Sequence, residues 1–173
     1  MDCPAPSGRK DGLAPMMCPA PEALVLGSLP GDRSLTLQEY YGHPQNRFWR
    51  VMAAICEEPV PASYEARREM LARAHIALWD VYASAHRPGS MDADIRSAAF
   101  NDLEGLLRQC PSIGTVALNG RKAASAFAAY CAGRRAQMAD VMQRHRVQEM
   151  PSTSPANARW TLDRLTAAWR GML

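Results

Sequence analysis

Four short apolar runs alternate with helical patterns along the 173 residues of this chain, and this alternation restricts its fold more than any other feature. The runs cover residues 23–27, 76–82, 113–119 and 146–150. Apolar residues at helical spacing follow them, as with Phe48, Met52 and Ile55 after the first run. Strands that alternate with helices pair mainly in parallel, and right-handed crossovers place helices on both faces of the sheet. We therefore predict an α/β fold of three layers, α/β/α.

The first 21 residues differ in composition from the rest of the chain. They are rich in proline and repeat the tetrapeptide Cys-Pro-Ala-Pro, which begins at Cys3 and again at Cys18. Segments of this composition bury little apolar surface and stay flexible. The chain as a whole is 47% hydrophobic and 21% charged, which suits one compact core. We predict a flexible tail over residues 1–21 and one folded domain over residues 22–173.

Composition also limits the partners that the chain can have. No apolar run approaches the roughly 18 residues of a membrane-spanning helix, and the N-terminus lacks the basic-then-apolar order of a secretory signal. The five cysteines and four histidines occur at no spacing typical of a metal site. The net charge of +3 permits contact with a polyanion. We expect a soluble cytoplasmic protein with no metal and no membrane contact.

Small or polar residues follow all four predicted strands. They are Gly27 to Gly31 at the first strand, Asp80 and Tyr82 to Ser84 at the second, Asn119 at the third, and the segment 151–155 at the fourth. Ligands of open parallel sheets bind at the carboxyl ends of the strands. The sequence therefore predicts one binding site at that edge of the sheet.

The loop after the first strand, Gly-Ser-Leu-Pro-Gly at residues 27–31, is suited to binding a ligand. Glycine has no Cβ, so the glycines of this loop let a ligand approach the backbone closely. The ligand could then contact main-chain atoms of Gly27, Ser28 and Leu29. The same residues are also typical of a plain turn, and both interpretations stay open.

The segment HPQNRFW at residues 43–49 combines an amide with aromatic side chains. Asn46 is a candidate catalytic residue, because a neutral amide can hold a water in line with a sugar carbon; it can also cap the following helix. Tyr41 and Phe48 can form a wall for a flat base, although aromatic residues at helical spacing more often lie in a core. We expect His43 to support this segment.

Asn119 and Asp80 lie at the ends of two predicted strands. Asn119 has the donors and the acceptor needed to read the edge of a base, or it begins a simple Asn-Gly turn. Asp80 lies in an otherwise apolar run, and a buried carboxylate needs a partner. We expect Asp80 to anchor the ligand loop through backbone amides.

The loop before the last helix is rich in hydroxyl groups and braced by prolines. Ser and Thr hydroxyls with helix-start amides can grip backbone phosphates, and a proline-braced tip can push between base pairs. Alternatively, Ser154 or Asn157 caps the last helix. The candidate DNA-binding residues are Ser152, Ser154, Pro155, Ala156 and Asn157.

Five blocks of the sequence together resemble the hypoxanthine-DNA (deoxyinosine) glycosylase branch of the uracil-DNA glycosylase superfamily. The blocks are GSLPGDRSL, YYGHPQNRFW, LWDVYASAHRPGSMDADI, ALNG and MPSTSPANARW, and the resemblance covers residues 22–173. It implies a central four-stranded parallel sheet and a monofunctional enzyme without a cofactor. Such an enzyme flips a deaminated base, here hypoxanthine, out of DNA and hydrolyses its N-glycosidic bond. The expected partner is double-stranded DNA containing a deaminated base, bound by a monomer at the bacterial nucleoid.

Two departures from the wider superfamily affect the choice of substrate. Mismatch-specific uracil and thymine glycosylases carry a water-activating Asn at the position of Leu29, so the resemblance assigns catalysis to Asn46 instead. Many uracil-removing relatives hold a His in the last motif, where this chain has Ser152 and Ser154. A mismatch-specific uracil or thymine glycosylase is the second hypothesis, and a catalytically silent binder of damaged DNA is the third.

Overall fold

The computed structural model describes residues 8–173. Its strands are β1 (Arg9–Asp11), β2 (Ala23–Gly27), β3 (Ile76–Asp80), β4 (Tyr82–His86), β5 (Arg96–Phe100), β6 (Thr115–Asn119) and β7 (Arg146–Met150). Its helices are α1 (Asp32–Leu37), α2 (Phe48–Ile55), α3 (Tyr64–Arg73), α4 (Leu103–Gln109), α5 (Arg121–Ala132), α6 (Arg135–Arg144) and α7 (Leu162–Trp169). Within residues 8–173, every helix is too short or too polar to span a bilayer.

A four-stranded parallel sheet lies at the centre of the fold, as predicted, in the order β3-β2-β6-β7. β2 and β7 have the predicted bounds, whereas β3 already ends at Asp80 and β6 begins at Thr115. In the register of the sheet, Gly27 lies opposite Asp80 and Asn119 lies opposite Met150. The carboxyl ends of the four strands therefore finish at nearly the same level.

Helices cover both faces of this sheet and complete the three predicted layers. Leu24 and Leu26 of β2 pack in one core with residues of α4, α5 and α6. Val25, which points to the other face, packs in a second core with residues of α2, α3 and α7. Because both faces of β2, β3 and β6 are buried, these three strands are mostly apolar runs that stand out in the sequence. The edge strand β7 differs, because Arg146 and Glu149 are exposed.

A second, antiparallel sheet in the order β1-β4-β5 was not predicted. The segment from Tyr82 to Ser84 was expected to be a strand end that contributes to the site, but it forms the first part of β4. Tyr82 and Ala85 are buried in the core beneath α4 and α5, and β4 bonds to β1 on one side and to β5 on the other. These pairings join segments that are distant in sequence.

The structure corrects the prediction of a flexible tail for residues 8–21. β1 pairs with β4, and Met16 exchanges backbone hydrogen bonds with Leu78 on the free edge of β3. The Tyr40 hydroxyl also donates to the Ala14 carbonyl oxygen, at 2.7 Å. A strand edge has unpaired backbone groups, and the proline-rich segment satisfies some of them. Residues 1–7 of the predicted tail lie outside the described residues.

Two adjacent methionines test whether this segment is part of the domain. The Met16 side chain is buried at 7% exposure, whereas Met17 is 37% exposed. We expect Met16→Ala to lower the free energy of unfolding by about 2 to 5 kcal/mol, because it leaves a cavity in the core. Met17→Ala, the matched control, should change it by less than about 0.5 kcal/mol. Equal effects of the two substitutions in urea unfolding would contradict this arrangement.

Candidate active site

A cleft of about 1150 Å³ opens at the carboxyl ends of the central strands. This volume is at the upper end of the range for small-molecule sites, so the cleft has room for a nucleotide with its sugar and phosphate groups. Phe48 is the one predicted site residue that does not line it. The predicted residues that do line it are Gly27, Ser28, Leu29, Tyr41, His43, Asn46, Asp80, Asn119, Ser152, Ser154, Pro155, Ala156 and Asn157.

The loop from Gly27 to Gly31 forms one wall of the cleft. A Cβ on residue 27 would lie 2.5 Å from Asp80 Oδ1, so this position needs glycine. The Ser28 hydroxyl donates to Asp92 Oδ1 at 2.6 Å, which joins the loop to the segment before β5. The amides of Ser28 and Leu29 donate to no acceptor among the described residues. The loop that lines the cleft therefore has two main-chain donors without a partner among the described residues.

Arg87 supports this loop through hydrogen bonds to its backbone, a role that was not predicted from the sequence. Its side chain is almost completely buried, and its guanidinium donates to the carbonyl oxygens of Leu29 and Pro30. Val81 and Tyr82 add backbone hydrogen bonds to the first two residues of the loop. A planar guanidinium can serve several acceptors at once. Arg87 lies in one of the blocks that carry the family resemblance, which was the available signal.

Asn46 lies in the cleft wall directly before α2. Its backbone amide donates to the His43 carbonyl oxygen at 2.9 Å, and its Oδ1 accepts from the Phe48 amide, also at 2.9 Å. Its Nδ2 has no hydrogen-bond partner among the described residues. The side chain is half-buried, so one end of the amide supports the start of α2 while the other remains available in the cleft. Both expectations for Asn46 are thus compatible in one conformation.

Tyr41 is one of three aromatic residues that line the cleft, together with Tyr40 and Trp160. Its ring stacks on Phe48 with centroids 4.0 Å apart and planes at 22°. Phe48 itself is completely buried and packs edge-on against Trp49 and Trp169. The expectation that Phe48 contacts a base is therefore wrong for this conformation, because Tyr41 covers the ring. Phe48 instead supports the face on which a base can stack.

Asn119 connects the aromatic wall to the last loop of the cleft. Its Nδ2 donates to the Tyr41 hydroxyl at 3.1 Å and to Thr153 Oγ1 at 3.0 Å, while its Oδ1 accepts from the Thr153 amide at 3.0 Å. Thr153 is fully buried and was not among the predicted site residues. Because these polar atoms already have partners, the structure gives Asn119 a positioning role. Reading a base would require it to exchange these hydrogen bonds.

The loop from Ser152 to Asn157 is held by Arg47, whose role the sequence analysis also missed. The Arg47 guanidinium donates to the carbonyl oxygens of Ser154 at 2.7 Å and Asn157 at 3.0 Å, and to those of Thr153 and Trp160. Ser154 and Asn157 do not cap the last helix, because α7 begins five residues beyond Asn157 and is capped by Thr161.

Two residues at the tip of this loop are free to contact a large ligand. Pro155 and Ala156 are exposed at the rim of the cleft. The Ala156 amide donates to Ser154 Oγ, and Asn157 Nδ2 donates to the Ser152 carbonyl oxygen, so the tip is braced internally. The loop therefore ends in a braced, exposed tip at the rim of the cleft.

Asp80 does not anchor the ligand loop through backbone amides. It is only 5% exposed, and its Oδ2 is buried without a hydrogen-bond partner among the described residues. Burial raises the pKa of this carboxyl to about 7; the nearby charge of Asp92 adds to the rise, and Arg87 opposes it.

His43, at the rim, accepts a hydrogen bond from the Gln45 amide at 3.1 Å and so shapes the turn before Asn46.

The role of Arg47, which directly precedes α2, can be tested by comparison with an arginine inside that helix. Arg47→Lys replaces several guanidinium hydrogen bonds with fewer, so we expect the free energy of unfolding to fall by about 1 to 3 kcal/mol. The amides of residues 153–160 should also exchange hydrogen for deuterium faster. Arg50→Lys is the control, because Arg50 is exposed and lies away from the loop. Unchanged exchange in Arg47→Lys would contradict the role.

Comparison with known proteins agrees with this geometry. A family model of the uracil DNA glycosylase superfamily matches residues 14–172. The chain is 39% identical over 115 residues to the hypoxanthine DNA glycosylase of Methanosarcina barkeri, a match that covers 66% of this chain and 73% of that protein. It is 43% identical over 103 residues to the hypoxanthine DNA glycosylase of Methanosarcina acetivorans, covering 59% of this chain and 65% of that one, just under two thirds of its length.

A solved structure extends the similarity over almost the entire chain. It is the solution NMR structure of a protein from Methanosarcina acetivorans, described as a candidate uracil DNA glycosylase. The TM-score is 0.76 at 32% identity, and the match covers 95% of this chain and 98% of that one. The order of strands, the cleft and the family match point the same way: this chain belongs to the uracil DNA glycosylase superfamily.

Proposed function

We propose that the chain removes hypoxanthine from double-stranded DNA by hydrolysing the N-glycosidic bond. The observation that carries the proposal is that Asn46, Tyr41 and the Gly27 to Gly31 loop line one cleft. A water-orienting amide, a stacking surface and main-chain donors are the three elements that such a reaction needs. The relatives named as hypoxanthine DNA glycosylases support the choice of base.

The target base must leave the duplex before it can react. The scissile bond is inaccessible inside the base stack, and a cleft on the protein surface can receive only an extruded nucleotide. The exposed Pro155 and Ala156 are placed to fill the space left in the duplex, while hydroxyls of the same loop contact the phosphates.

Asn46 would position the attacking water. Departure of the base leaves positive charge on the sugar carbon, so the water needs orientation more than early deprotonation. A neutral amide suits this task, and hydrogen bonds from Phe48 and to His43 fix its position. The departing base would stack on Tyr41 and accept hydrogen bonds from the free amides of Ser28 and Leu29.

Substitution of Asn46 tests the assignment. We expect Asn46→Ala to slow single-turnover release of hypoxanthine by about 10²- to 10³-fold, the effect of removing one preorganised polar group. Gln45→Ala, at the adjacent exposed position, is the control and should leave the rate unchanged. Duplexes carrying hypoxanthine, uracil or a G·T mismatch are treated with alkali after the reaction to reveal abasic sites.

Asn46 also supports the start of α2, so stability must be separated from catalysis. Asn46→Asp keeps an oxygen that can accept from the Phe48 amide, and its unfolding in urea should match that of the wild type. Unchanged release of hypoxanthine by a folded Asn46→Ala protein would refute the role. Release mainly of uracil or of mismatched thymine would favour the second hypothesis, and binding without release would favour a silent binder.

We further propose that the enzyme leaves the DNA strand intact. Strand cleavage by a glycosylase requires an amine that forms a Schiff base with the sugar. The chain has two lysines; neither Lys10 nor Lys122 lines the cleft, and Lys10 pairs with Asp32. Borohydride should therefore trap no covalent complex with DNA, and strands should break only after alkali is added. A trapped adduct would contradict this proposal.

A further inference from the structure

We propose that the Asp80 carboxyl group, in its protonated form, donates a proton to the departing purine. The inference rests on the proposed function, since it adds a second catalytic residue to the same reaction. Asp80 would thereby favour purines over uracil, because purines have ring nitrogens that can accept a proton whereas the ring nitrogens of uracil in DNA carry the sugar or a hydrogen.

The position of Asp80 brings the carboxyl group to the loop that would hold the base. Asp80 is the last residue of β3, lies opposite Gly27 in the register, and lines the cleft. Its Oδ1 occupies the space that a side chain on residue 27 would need, at 2.5 Å from the Cβ position. The same position is 3.5 Å from the Tyr41 hydroxyl. The carboxyl group and the Tyr41 hydroxyl therefore both lie beside Gly27, at the start of the loop.

No cation neutralises this carboxyl group. Asp80 forms no salt bridge within residues 8–173, and Oδ2 has no hydrogen-bond partner there. The Arg87 guanidinium donates to the carbonyl oxygens of Leu29, Pro30 and Gly89. The Asn101 side chain donates to the main-chain oxygen of Asp80 and not to the carboxylate. An ionised carboxylate here would be costly, whereas a protonated one is a hydrogen-bond donor.

The charged and titratable groups around Asp80 agree with a protonated state near neutral pH. Asp92, from the segment before β5, raises the pKa of Asp80 through like charge, in addition to the larger effect of burial. Arg87 lowers it. Tyr40 and Tyr41, from the segment before α2, stay neutral because burial and the charge of Asp80 raise their own pKa values. With a pKa of about 7, Asp80 is suited to general acid catalysis.

The proposed step conserves atoms and charge. The bond between the sugar C1′ and the purine N9 breaks, and its electron pair stays on the base. The proton of Asp80 moves to a ring nitrogen of that base, which leaves as a neutral purine. The water held by Asn46 bonds to C1′ and releases its proton to solvent. Asp80, now a carboxylate, regains a proton from solvent before the next turnover.

The test is the pH dependence of single-turnover base release from hypoxanthine and uracil duplexes. For the wild type we expect hypoxanthine release to fall about tenfold for each pH unit above about pH 7, as Asp80 loses its proton. Asp80→Asn cannot transfer a proton, so its rate of hypoxanthine release should be about 10²- to 10⁴-fold lower. The fall in rate above neutral pH, the alkaline limb of the profile, should also be absent. Uracil release should change far less. An alkaline limb retained in Asp80→Asn would overturn the proposal.

A second pair of variants keeps the test independent of the folding of Asp80→Asn. Asp92→Asn removes a negative charge that raises the pKa of Asp80, so the alkaline limb should move to lower pH. Asp94→Asn removes a carboxylate from the same turn without that effect and should leave the limb in place. An unmoved limb in Asp92→Asn would overturn the proposal. Absence of any base release by the wild type would instead refute the proposed function.

Discussion

The pairing of β2 with β3 and β6 determines where every polar group of the cleft lies. The strands are parallel and in register, so Gly27, Asp80 and Asn119 finish at nearly the same level. Both faces of the sheet are buried beneath helices, and polar side chains on the strands have room only at their carboxyl ends. The site therefore depends on the geometry of the sheet, and the loops complete it.

Two arginines then fix the loops on either side of the cleft. Arg87 donates to carbonyl oxygens of the loop after β2, and Arg47 does the same for the loop after β7. Each guanidinium serves several main-chain acceptors, which a lysine ammonium cannot do in the same planar arrangement. The amides of Ser28 and Leu29 have no acceptor among the described residues. The two arginines thus hold the backbone of the loops, while the proposed function assigns contact with the substrate to neutral groups.

The residues proposed to contact the base and the water carry little fixed charge, although charged side chains line other parts of the cleft. Asn46 and Tyr41 are neutral, and Asp80 lacks a cation that would keep it ionised. Charge develops on both the sugar and the base as the glycosidic bond breaks. Groups that can gain or lose a proton during the reaction help to stabilise this charge. Asp92 is exposed at the rim of the cleft, and its negative charge raises the pKa of Asp80. Its Oδ1 also accepts a hydrogen bond from the Ser28 hydroxyl in the first loop.

The sequence by itself determined the central sheet and the location of the cleft. β2 is buried on both faces and forms a continuous apolar run, so it was predicted with its observed bounds. β7 was also predicted with its observed bounds, although it is a partly exposed edge strand with polar residues. The residues after the strands were expected at one edge. Only the tertiary structure decided the rest. β1, β4 and β5 are short, and their pairing spans more than 70 residues between Arg9 and His86. The stacking of Tyr41 over Phe48 and the carbonyl partners of Arg47 and Arg87 likewise depend on groups brought together by folding, for which single-residue patterns carry no signal.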